Sequence, residues 1–129
     1  MPMKRKAQGA AIVIGAQGEE TIAVVRLLRP FFEDVLSVSE NEQAYGHSEN
    51  DKVRLVVMID LEACNANHDS LREIRHAFPS AKILGLLDAF HPEQEVVLRT
   101  AGVVFLGSFE RFARNSRTIL TKALNSAFS

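Results

Sequence analysis

The chain has a single cysteine, Cys64, among its 129 residues. That excludes a disulfide framework, and a cysteine-based zinc site built by this chain alone. Such sparing use suits a reducing compartment. There is no basic excess either: the formal charge is −1, against the clustered Lys and Arg of a dedicated nucleic-acid binder. No apolar run approaches the ~20 residues of a membrane-crossing helix. The basic start, Met1-Pro2-Met3-Lys4-Arg5-Lys6, leads into no long apolar segment, because Gly15 and Gly18 interrupt the run. Repeats, linkers and low-complexity segments are lacking too. What is present is ordinary globular composition, 47% hydrophobic and 24% charged, enough for one packed core. The expectation is a soluble cytoplasmic protein with no membrane partner. It would be one domain over 10–129 behind a solvated basic tail, 1–9.

The pattern is organised around Arg54-Leu55-Val56-Val57-Met58-Ile59-Asp60. An unbroken apolar run, rich in β-branched residues, reads as a strand buried on both faces. Asp60 stands where that strand would leave the sheet, and α/β sheets bind ligands outside the carboxyl ends of their strands. Four similar strands are expected at 10–14, 34–38, 81–87 and 103–106. The first helix opens at Glu19 and Glu20, where carboxylates suit the positive end of the helix dipole. Its broad apolar face includes Ile22, Val24, Val25, Leu27, Leu28, Phe31 and Phe32, and Pro30 predicts a kink or stop. A short second helix would start from a Ser39-x-x-Glu42 capping box. A third would start from Ser70-x-x-Glu73 and end before Pro79. The fourth opens at Pro92 and stops at Gly102. The last runs unbroken from about Phe109 to the chain end. Five strands alternating with five helices predict a (βα)5 unit, a parallel sheet covered on both faces by right-handed crossovers.

This succession resembles a response-regulator receiver domain from about Ala10 to Phe128. The likeness rests on the strand ending in Asp60, on Pro79-Ser80-Ala81-Lys82-Ile83-Leu84, and on Arg99-Thr100-Ala101-Gly102-Val103-Val104-Phe105-Leu106. It is strongest with receivers attached to LuxR-type helix-turn-helix regulators. The resemblance implies a flavodoxin-like three-layer sandwich with sheet order 2-1-3-4-5, and Asp60 as the phosphoacceptor, loaded by a histidine kinase with magnesium. The departures are as informative. Where receivers carry two acids after the first strand, this chain has Gly15 and Ala16. The Ser or Thr that ends the fourth strand is replaced by Leu87, or by Asp88 in a register one residue on. Gly107-Ser108 stand in place of the Lys that ends the fifth strand, and the loop after Asp60 lacks the usual Met-Pro and later Gly. Phosphoryl transfer depends on positioning and on neutralising charge at the equatorial oxygens. Without its partner acids and lysine, Asp60 is a poor acceptor, and magnesium is expected only if that pocket functions.

The pocket rim is therefore Gly15, Ala16, Leu87, Asp88 and Ser108 around Asp60. Gly15-Ala16-Gln17-Gly18 matches no nucleotide-binding fingerprint, and its glycines read as a tight turn. His68, Asp69, Asp88 and His91 match no metal-ligand spacing, and Cys64 reads as an ordinary thiol. Arg111, Arg114, Arg117 and Lys122 form a basic stripe on the last helix with no aromatic interleaved on that side. Arg99, Arg111, Arg114 and Arg117 are the candidate partner surface. The expected function is a stand-alone, atypical receiver of two-component signalling that binds a protein without phosphorylation. The partner would be a histidine kinase, a downstream regulator, or a second copy across the fourth helix, fifth strand and last helix. Two rivals stay open: a conventional phosphoacceptor, and a small-ligand sensor at Gly15, Ala16 and Asp60. No nucleophile–base pair points to an enzyme, and a DNA-binding regulator would need a helix-turn-helix module, which the expected stand-alone domain does not include.

Overall fold

The structure, a computed structural model, describes residues 9–16, 18–47, 52–59, 68–86 and 103–125. Strands β1 (Ala10–Ile14), β2 (Asp34–Val38), β3 (Val53–Ile59), β4 (Lys82–Leu86) and β5 (Val103–Gly107) form one sheet of order β2-β1-β3-β4-β5. Every pairing is parallel. Helices α1 (Glu19–Leu28), α2 (Asn41–Tyr45), α3 (His68–Ala77), α4 (Phe109–Arg114) and α5 (Ser116–Asn125) accompany it. The strands formed where apolar runs predicted them, because a doubly covered parallel sheet needs unbroken hydrophobicity.

Alternation along each strand divides the core in two. Ile12, Ile14, Val56, Met58 and Ile83 point to one side and pack with Leu71, Ile74 and Phe78. Ala11, Val13, Leu55, Val57 and Leu84 point to the other and pack with Val24, Leu28, Phe112 and Leu120. This is the period-2 arrangement of a pleated strand, with one set per face.

Several expected boundaries move. Gly9, assigned to the solvated tail, is buried at φ +108°, and a Cβ there would lie 2.5 Å from the Lys52 carbonyl oxygen. Of the kink or stop expected at Pro30 the stop forms: α1 ends at Leu28, and the chain tightens into a 3₁₀ turn over Arg29–Phe31. Ile22, placed on the buried face, is 53% exposed, because α1 turns Thr21, Val24 and Leu28 inward instead. The Ser39–Glu42 capping box does not form: Gln43 Oε1 reaches back to accept from the Ser39 and Glu40 amides at 2.8 and 3.2 Å, so α2 starts at Asn41.

Nor does Ser70 open α3, which begins at His68. Glu73 is engaged elsewhere, accepting the Tyr45 hydroxyl at 3.0 Å. The last helix is two helices. At Asn115 the backbone leaves helical geometry (φ −122°, ψ 25°) and its amide bonds to both Arg111 and Phe112 carbonyls. Asn115 Nδ2 also donates to the Arg111 carbonyl at 3.2 Å, which secures the break. The fourth helix expected from Pro92 lies outside the described residues.

Candidate functional site

The sheet brings the carboxyl ends of β1 and β3 side by side, with Ile14 opposite Met58. Gly15 continues β1, donating its amide to the Val38 carbonyl at 2.9 Å. It is buried, and a Cβ there would meet the Ile59 Cβ at 2.8 Å and Thr21 Oγ1 at 3.4 Å. Its φ is not in the left-handed region. Gly15 is therefore required by the close approach of two strands rather than by turn geometry, which corrects the tight-turn reading. Gly18 needs no glycine on either ground: its φ of 174° is extended backbone, and nothing lies within 4 Å of a Cβ there.

Thr21, buried at the start of α1, donates its hydroxyl to the Ala16 carbonyl at 2.6 Å. This bond closes the β1–α1 loop over its own backbone. At this end of the crevice the chain therefore presents a glycine with no room for a side chain, followed by the methyl of an exposed alanine. A divalent hard cation needs oxygen ligands such as carboxylates, and neither position supplies one. These two residues do not fit a magnesium site. Among the described residues, no group of three His, Cys, Asp or Glu side chains could hold a metal. Asp60, Leu87, Asp88, Cys64 and His91 lie outside the described residues.

At the same carboxyl end of the sheet, on its edge strand, Ser108 follows β5 and caps α4, its Oγ accepting the Arg111 amide at 3.1 Å. A serine oxygen here satisfies one of the free amides of a helix start. Ser108 thus has a structural role as a cap. The Phe105 ring lies over Gly107, where a Cβ would meet Phe105 Cζ at 2.8 Å. Arg111 stands over the same ring, its guanidinium carbon 5.8 Å from the centroid. Phe112 flanks it with centroids 6.3 Å apart and planes inclined at 51°.

Phe105 and Arg111 also line a groove of about 610 Å³ between β5 and α5, floored by Val104, Phe105 and Ile119 and edged by Arg111 and Lys122. The groove thus gathers two cations of the basic stripe. Arg114 and Arg117 are exposed but do not line it, and Arg99 lies outside the described residues. The stripe does have an aromatic beside it, supplied by β5 and not by the helix. Sequence spacing could not reveal this, because six residues and a strand–helix junction separate Phe105 from Arg111. Thr21 was missed as well. A hydroxyl residue in the first turn of a helix following a glycine loop was its only signal.

The class defined by this fold is the doubly wound (βα)5 domain shared with response-regulator receivers. Sequence comparison finds no matching family model and no matching curated protein. Solved structures do match. A response regulator from Thermotoga maritima superposes with a TM-score of 0.71 at 18% identity, covering 88% of this chain and 98% of that one. The signal receiver domain of an HD domain-containing protein from Pseudomonas fluorescens Pf-5 gives 0.75 at 16% identity, covering 95% and 98%. A pilus assembly-related protein from Burkholderia pseudomallei K96243 gives 0.78 at 12% identity, covering 97% and 96%. At these identities the likeness is one of fold. No helix among the described residues is long and apolar enough to cross a membrane.

Proposed function

We propose that residues 10–129 are a receiver-type signalling domain that works by binding a protein, without phosphorylation of Asp60 as its switch. The observation that carries this reading is the contact between Gly15 and Ile59. It fills the place from which a metal-binding acid would have to project. Ala16 adds no ligand, and Ser108, whose Oγ accepts the Arg111 amide as a helix cap, brings no cation where receivers carry a lysine. Phosphoryl transfer is almost wholly positioning and charge neutralisation, and neither Gly15 nor Ala16 can bring a charged group to it. Magnesium would enter only if an Asp60 pocket were functional. The chain carries out no catalysis of its own in this reading, and it resides in the cytoplasm.

The partner surface is the basic groove of Arg111 and Lys122, with Arg114, Arg117 and Arg99 as further contacts. Its edge is cationic and its floor apolar, so the matching partner is a protein with acidic side chains around an apolar anchor, such as a histidine kinase or a downstream regulator. Complementary charge of this kind steers encounter and fixes register. The wide use of the fold supports a docking role: the Burkholderia neighbour is described as pilus assembly-related, not as a response regulator.

The test is a titration with magnesium and beryllofluoride, a phosphoryl mimic, followed by two-dimensional NMR with Asp60→Asn as control. The reading expects an unchanged, well-dispersed spectrum. Shifts centred on residues 15–17, 60–64 and 86–90 that vanish in D60N would establish a conventional phosphoacceptor instead.

A further inference from the structure

A second surface stands apart from the basic groove. Helix α1 turns Thr21, Val24 and Leu28 into the core. It leaves Glu19, Ile22, Ala23 and Arg26 along a groove of about 530 Å³ completed by Phe109 and Ala113 of α4. A single exposed isoleucine would need no explanation. Ile22, however, sits among half-buried Ala23, Leu27, Phe109 and Ala113, in a continuous apolar surface.

The four residues of α1 follow the spacing i, i+3, i+4, i+7, which places them in one stripe on the helix. In order they are an acid, a large apolar residue, a small apolar residue and a base. That order is self-complementary. Laid antiparallel against a copy of itself about a two-fold axis between Ile22 and Ala23, Glu19 meets Arg26 of the other copy at both ends. In the middle each Ile22 meets the Ala23 opposite. A parallel arrangement would instead oppose Glu19 to Glu19 and Arg26 to Arg26. Within one helix Glu19 and Arg26 are about 10 Å apart along the axis, at ~1.5 Å per residue, too far to pair with each other.

A two-fold interface requires a patch that complements itself, residue i meeting j and j meeting i. We propose that α1, flanked by Phe109 and Ala113, is the interface of a symmetric antiparallel homodimer. The occupant of this groove is a second copy of the chain. This surface is separate from the Arg111–Lys122 groove, and the proposal stands whether or not Asp60 is ever phosphorylated. A contact built on one ten-residue helix lies at the small end of specific interfaces, so dimerisation is concentration-dependent.

Sedimentation equilibrium of the full chain from micromolar to millimolar concentration tests it. The average mass is expected to rise from that of a monomer to that of a dimer. E19R and R26E should each weaken association roughly tenfold or more, since each places two like-charged pairs across the axis. Mixing the two variants in equal amounts should restore association as a heterodimer, and the double swap E19R/R26E should restore the homodimer. All of these positions are exposed, so far-UV circular dichroism should show the fold unchanged. I22S, which leaves both charges in place, should weaken the dimer as well. A monomer at every concentration would overturn the proposal. So would a dimer indifferent to both charge reversals, or one lost only in R111E.

Discussion

Replacing Gly15 with alanine measures how tightly β1 and β3 close the crevice. The added Cβ would lie 2.8 Å from the Ile59 Cβ and 3.4 Å from Thr21 Oγ1. Both neighbours are buried, and the Ile59 Cβ is rooted in the central strand, so relief requires a shift of backbone. Forcing extra volume into a packed core costs about 1–3 kcal/mol, while losing a glycine from the unfolded chain returns about 0.4–1 kcal/mol. A net loss of about 1–2 kcal/mol is expected. At roughly 3–5 °C per kcal/mol for a chain of this size, the melting temperature should fall by roughly 3–10 °C, and the urea midpoint should fall without a change in slope. Truncating Ile59 to alanine does not rescue G15A, because the colliding atom is the Cβ that alanine keeps. I59A alone should cost about 2–5 kcal/mol, and G15A should remain costly in that background. A neutral or stabilising G15A, or its rescue by I59A, would refute the account. Gly15→Asp carries the same Cβ, so restoring an acid at this position should destabilise at least as much.

Three further outcomes can be measured by urea unfolding and binding. Ser108→Ala removes the cap of α4 and should cost about 1 kcal/mol. Thr21→Val keeps the shape but loses the bond to the Ala16 carbonyl; it should cost about 0.5–1.5 kcal/mol and speed amide exchange in the β1–α1 loop. Arg111→Ala should change stability by only about 0.5–1 kcal/mol, the worth of an exposed cation–π contact, while weakening capture of an acidic protein partner. A stability loss well beyond that would assign Arg111 to the scaffold.

The strands were legible in the sequence because burial on both faces leaves continuous apolar runs, as at Ala10–Ile14 and over residues 55–59. The helix ends were less legible, because tertiary partners decided them. Glu73 is bonded to Tyr45 rather than capping α3, and Gln43 displaces the expected Ser39–Glu42 box. Asn115 divides the last helix by bonding back to Arg111, although asparagine inside an otherwise periodic run is only a faint breaker. At the crevice, the absence of acids at Gly15 and Ala16 was plain from the resemblance. Its physical setting was not: the reason for a glycine at 15 is a side chain 44 residues later. Ile22 was misplaced because periodicity identifies a helix but not how far its apolar arc extends beyond the core. The 53% exposure of Ile22 leaves the outer face of α1 open to a second copy.

The sheet also separates two populations of side chains that scarcely meet. Ile12, Met58 and Ile74 belong to one, Val13, Val57 and Phe112 to the other. Substitutions far apart with no shared partner tend to add independently, so each layer can drift through its own series of compensating changes. A fold organised this way can explore sequence as two smaller problems.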